Sequence, residues 1–230
     1  MSEAFLCDGE LGERLASGGP GDPGDLAARA IGALLERLPR AEWDELDDVV
    51  LALPGDGGAD ARCEGAIRSV LPPGTVAMAV RRGQGSGLDA VAVAARAIKA
   101  GEAELVLAAV VPTRRGAAAC ALVLASERAA ARNALTPLAR VVTTAVAAAT
   151  PGSGGTGTAL AVERLLERAG IWPQDVAVYA IDEARAARGE VGADLVLHAA
   201  RTLERGGGRY AVSATSLGED RGIAMLLERA

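Results

Sequence analysis

The stretch Val80-Arg81-Arg82-Gly83-Gln84-Gly85-Ser86-Gly87-Leu88-Asp89-Ala90-Val91 decides how this chain is read. It follows the apolar run Thr75-Val76-Ala77-Met78-Ala79 and opens an Ala-rich helical run from Leu88 to Ala100. A strand that turns through glycines into a buried helix N-terminus is where α/β folds often set a nucleophile. The glycines allow the tight turn, and the free N–H groups and dipole of the helix favour developing negative charge. The residue at this turn is Gln84, which is no nucleophile.

Working outward, the chain alternates strand and helix patterns. Ala4-Phe5-Leu6-Cys7-Asp8 suits a first strand, and Asp25 is placed to cap a helix from Leu26 to about Leu38. Val49 to Leu53 reads as a second strand, followed by a short helix around Ala61 to Val70 and the strand before Gln84. Glu104 to Val111 is a continuous apolar run, the type expected in a sheet covered on both faces. Ala118 to Ala125 is a further strand, with a polar helix to about Asn133.

The second half repeats this order. Strands are expected at Leu138 to Ala148, Val176 to Ile181, Arg209 to Thr215 and Ile223 to Leu227, with helices at Thr158 to Ala169 and Ala193 to Glu204. Residues recur as well as patterns. Leu34-Leu35-Glu36-Arg37, then Trp43, then Asp48-Val49-Val50 return as Leu165-Leu166-Glu167-Arg168, Trp172 and Asp175-Val176-Ala177. Two similar βα-rich halves imply a pseudo-twofold α/β protein.

Composition bounds the function classes. Half the 230 residues are hydrophobic, yet only Phe5, Trp43, Trp172, Tyr179 and Tyr210 are aromatic, so the interior is built from Ala, Val, Leu and Ile. A formal charge of −6, with arginines scattered beside glutamates, argues against a nucleic-acid partner. Cys7, Cys63 and Cys120 form no CxxC pair, which fits a reduced cytoplasm and gives neither a disulfide framework nor a zinc site. No basic-then-apolar leader opens the sequence, and no apolar run approaches the ~20 residues of a membrane span. The expectation is a cytoplasmic protein with no metal and no membrane partner.

At this point the chain resembles the thiolases, in particular their 3-ketoacyl-CoA and acetyl-CoA acetyltransferase branch. Ala4 to Asp8 resembles their opening strand, Val80 to Val106 their nucleophile turn and following helix, and Leu135 to Val142 the entry to their C-terminal half. Val176 to Ala187 is similar to their Asn-Glu-Ala-Phe segment, and Gly207 to Glu228 to their last two strands. The resemblance implies two related halves, 1–134 and 135–230, in a layered α-β-α-β-α core. It also implies that the coenzyme A-binding loop insertion is missing near 113–117, and the Gly-His-Pro strand and turn near 188–192.

Carried over residue by residue, the thiolase machinery is absent. The nucleophilic cysteine falls on Gln84, the asparagine that holds a catalytic water on Asp182, and the second cysteine on Ser216. The activating histidine has no counterpart, and the chain's single histidine, His198, sits within a helical run. Thiolysis needs a thiolate, a base to make it and a second acid/base across the carbonyl. Classical thiolase activity is therefore not expected, and no cofactor is implied.

Three functions remain open on sequence. The first is an inactive structural or regulatory subunit linked to acyl-CoA or polyketide and fatty-acid-type metabolism. The second is altered chemistry centred on Gln84, as in ketosynthase relatives whose glutamine supports malonyl-thioester decarboxylation. The third is a small-ligand module using the emptied cleft. Thiolases dimerise through the strand corresponding to Thr75, Val76, Ala77, Met78, Ala79 and Val80. The resemblance thus implies a homodimer, or a heterodimer with a full-length thiolase or ketosynthase homologue.

Overall fold

The computed structural model describes residues 2–15, 22–53, 60–82, 86–112, 117–150, 156–182, 192–218 and 220–230. The first half runs β1 (Ala4–Arg14), α1 (Pro23–Arg37), β2 (Asp48–Ala52), α2 (Asp60–Arg68), β3 (Ala77–Val80), α3 (Ser86–Ala100), β4 (Leu105–Val110), β5 (Ala118–Ser126) and α4 (Glu127–Arg132). The second runs β6 (Ala139–Ala148), α5 (Gly157–Ala169), β7 (Val176–Asp182), α6 (Ala193–Gly206), β8 (Tyr210–Gly218) and β9 (Arg221–Arg229).

All nine strands form one sheet, in the order β3-β2-β4-β5-β1-β6-β9-β8-β7. The duplication is written in that order. Read outward from the centre, β1-β5-β4-β2-β3 on one side is matched by β6-β9-β8-β7 on the other. Each half contains parallel pairs (β2 with β3 and β4; β7 with β8) and an antiparallel return strand (β5 or β9). Within the sheet the halves meet at β1 and β6, where Phe5 pairs with Arg140 and Leu6 with Ala139.

Alternation along the buried strands explains the layers. In β2, β4 and β5, Val50, Val106, Ala108, Leu122 and Leu124 face α3 and α6, and the same core takes in Ala211, Ile223, Met225 and Leu227 of the second half. The intervening residues Val49, Leu51, Leu105, Leu107 and Val123 face outward, against α1, α2 and α4. On the far side Ala145, Ala147, Val212, Ala214 and Leu226 pack under α5. The result is the α-β-α-β-α sequence of layers, with α3 and α6 between the half-sheets. Every residue of β4 is buried, as the unbroken apolar run required.

Three local expectations are corrected. The cap of α1 is Asp22, whose carboxylate accepts from Gly24 N at 2.8 Å, and not Asp25, because Pro23 starts the helix three residues earlier. β1 continues beyond Asp8 to Arg14, since its acidic residues are met by Arg37 of α1 and Arg201 of α6. The strand before the turn is regular over Ala77–Val80 only, although Val76 O already accepts from Val49 N at 3.1 Å.

Candidate functional site

The two helices of the middle layer begin side by side. Gly192 precedes α6 with φ 84°, and a Cβ there would lie 2.8 Å from Leu88 N in the first turn of α3. Only glycine admits that approach at that backbone angle. The paired starts lie at the carboxyl ends of β3 and β7, the side on which open α/β sheets bind ligands.

Gly83, Gln84 and Gly85 fall outside the described residues, but both flanks of the turn are visible. Arg82 N donates to Ser86 Oγ at 2.7 Å, which ties the end of β3 to the start of α3. The Arg82 guanidinium lies 3.3 Å from Asp89 Oδ2, and Arg96 approaches the other oxygen at 3.8 Å. Asp89 is 3% exposed, and its Oδ1 has no hydrogen-bond partner among the described residues. Burial of a carboxylate is tolerable here because it sits in the first turn of a helix, between two guanidinium groups. This Arg82–Ser86–Asp89 clasp escaped the sequence reading, although an acid three residues into the helix is a recognisable signal.

Asp182 ends β7, buried, and pairs in register with Thr215 of β8, so Asp182 and Ser216 stand one residue apart on adjacent strands. The Ser216 hydroxyl is engaged by its own turn: it donates to Gly218 O at 2.5 Å and accepts from Gly218 N at 3.1 Å. A hydroxyl used in this way shapes the β8–β9 connection.

The thiols are remote from such chemistry. Cys7 lies in β1, Cys63 in α2 and Cys120 in β5, each buried. Burial, with a smaller push from Asp8, raises the Cys7 thiol to about 12, and burial drives the Cys120 thiol up as well. Cys63 is 1% exposed. His198 is exposed on α6. Among the described residues no cluster of His, Cys, Asp and Glu is arranged to hold a metal, and no helix is long and apolar enough to cross a membrane.

The run Thr75–Val80 lies at one end of the sheet, where among the described residues β3 pairs with β2 alone. Val76 is 67% exposed and Met78 43%.

Residues 21–111, which include the clasped turn, match the family model described as the thiolase N-terminal domain. Over these residues the chain is thiolase-like. It is 47% identical over 87 residues to the beta-ketoadipyl-CoA thiolase of Acinetobacter baylyi, a match covering 36% of this chain and 22% of that thiolase. The 3-oxoadipyl-CoA/3-oxo-5,6-dehydrosuberyl-CoA thiolase of Escherichia coli is 37% identical over 141 residues, covering 48% of this chain and 35% of its own length. The matches thus span roughly a fifth to a third of these curated thiolases. The thiolase fold extends further than the sequence match. The crystal structure of human mitochondrial 3-ketoacyl-CoA thiolase in complex with CoA superposes with a TM-score of 0.84 at 17% identity, covering 100% of this chain and 98% of the human one.

Proposed function

We propose that this chain is a thiolase-fold subunit without thiolytic activity, which dimerises through Thr75–Val80 and serves a structural or regulatory role in acyl-CoA, polyketide or fatty-acid-type metabolism. The observation that carries this reading is the fate of the nucleophiles. The turn holds Gln84, all three cysteines are buried in core strands and helices, and the Ser216 hydroxyl is spent on Gly218. A thioester cannot form on an amide, and a buried thiol with a raised pKa supplies almost no thiolate.

The dimer reading is supported by the exposed apolar edge at Val76 and Met78. An apolar strand left bare at a sheet edge templates association, and pairing satisfies both its backbone and its side chains. The partner is a second copy or a catalytic homologue, in the reduced cytoplasm that three buried thiols suit. Sedimentation velocity tests this. The chain is expected to run as a dimer, alone or with a co-expressed thiolase homologue, and Met78→Lys to run as a monomer. A Met78→Lys variant with unchanged association overturns the assignment of the interface.

A further inference from the structure

The two halves are built alike up to one step. The link from β2 to α3, residues 53–85, carries α2 and β3, whereas the link from β7 to α6 is residues 183–192 only. Among the described residues β7 is bonded to β8 alone and ends the sheet. In the first half α2 lays Cys63 and Ile67, each 1% exposed, into the core that buries Leu51 and Leu53. In the second half Tyr179 and Ile181 on the outer face of β7 are 43% and 36% exposed. Trp43 is half-buried against its core, while its counterpart in the repeat, Trp172, is 69% exposed.

What remains is a groove of about 620 Å³ between α5 and β7, walled by Val162, Leu166, Ile171, Trp172, Tyr179 and Ile181. Glu163 and Glu167 stand one helical turn apart in its lining, which among the described residues contains no Lys or Arg. The neighbouring Arg164 and Arg168 reach instead to the carbonyls of Val146 and Thr144.

We infer that this groove docks a basic amphipathic helix from a second, different polypeptide, which takes on α5 and β7 the place that α2 takes on α1 and β2. The internal duplicate supplies the shape of the occupant. α2 is nine residues long and anchors by Cys63 and Ile67, an i, i+4 pair, which is how a helix fills an apolar groove. The acidic lining supplies the charge: lysines or arginines flanking the anchors meet Glu163 and Glu167 and set orientation and partner choice. The choice of a different polypeptide over a second copy rests on the proposed β3 dimer. A chain that paired with its own copies at both ends of one sheet would close only where the two axes met at right angles, and in any other arrangement would grow into open fibres.

Calorimetry on the full chain tests this with a synthetic probe: residues 60–70 carrying Asp60→Lys, Cys63→Ala and Glu64→Lys. Saturable binding is expected, weakened about tenfold or more by Ile181→Lys. Glu163→Lys with Glu167→Lys should also weaken it, and restoring Asp60 and Glu64 in the peptide should recover the loss. Absence of binding overturns the inference, as does binding indifferent to Ile181→Lys. Loss of self-association in Ile181→Lys would make the occupant a second copy and also overturn it. Met78→Lys separates the two readings, since it should dissociate the β3 dimer and leave peptide binding unchanged.

Discussion

β2 and β7 hold matching places in the two halves and sit in opposite situations. β2 has a strand on either side and a helix over its outer face, so Leu51 and Leu53 are buried. β7 ends the sheet, and Tyr179 and Ile181 face an open groove. The flanking pieces are otherwise matched. Both halves carry an outer helix with a Leu-Leu-Glu-Arg run, a tryptophan and an Asp-Val strand entry. The difference teaches that the shared core is set by the central strands and the α3–α6 layer. The outermost helix and strand are an added layer, whose apolar footprint survives where no such layer is present among the described residues.

The strongest way to break that comparison is to remove side chains from both outer faces. Ile67→Ala, in α2, deletes a fully buried side chain and should cost about 3 kcal/mol. Trp172→Ala, on the open side, should change stability by no more than about 0.5 kcal/mol. Urea unfolding of the two variants checks this, and equal losses would mean that the groove is covered in the isolated protein.

The next contrast concerns the helix starts. A Cβ on Gly157 would lie 2.4 Å from Asp220 O, and one on Gly24 would lie 2.6 Å from Cys63 Cα. α5 thus starts hard against the β8–β9 connection, and α1 against α2. Gly157→Ala and Gly24→Ala should each lose about 2 kcal/mol in thermal unfolding, since rigid backbone must shift. Smaller effects follow at the caps, where Asp22 serves α1 and Thr156, accepting from Ala159 N at 3.1 Å, serves α5. Alanine at either should cost about 1 kcal/mol in the same measurement, so on this point the halves should agree.

The smallest expected effect is in pH dependence. Hydrogen bonds from Arg140 and then Arg209 hold the Glu228 carboxyl below its ordinary 4.5, with burial opposing them. Its contribution is fully present above that value and is lost as pH falls through the depressed folded one. In the first half Asp48 is raised above its ordinary 3.8 chiefly by burial, so its contribution has the opposite sign and weakens stability as pH rises through that range. Acid unfolding of Glu228→Gln should therefore be shallower than that of the parent chain, and that of Asp48→Asn steeper.

Much of the fold was legible because apolar periodicity and the repeat were strong. The unbroken run of β4, the Ala-rich face of α3 and the doubled Leu-Leu-Glu-Arg motif each gave the right element in the right order. β1 was cut short because Asp8, Glu10 and Glu13 look like a loop until Arg37, Arg201 and Arg29 are seen to meet them from other elements. The true cap of α1 was readable, since a proline directly after Asp22 marks a first helical position. For the site, the sequence named Asp182 and Ser216 but not the Ser216 turn, because a hydroxyl's partners depend on a hairpin backbone that no pattern specifies. The groove was illegible for a related reason. Tyr179 and Ile181 read as strand residues and Trp172 as part of the repeat, and what makes them a surface is that no covering element lies beside them among the described residues.

The central claim, a thiolase fold without thiolysis, is tested most directly by incubating the purified chain with a 3-ketoacyl-CoA and coenzyme A and following cleavage. The account predicts no rate above the buffer control, with Gln84→Ala indistinguishable from the parent chain. Turnover by the parent chain that Gln84→Ala abolishes would contradict it.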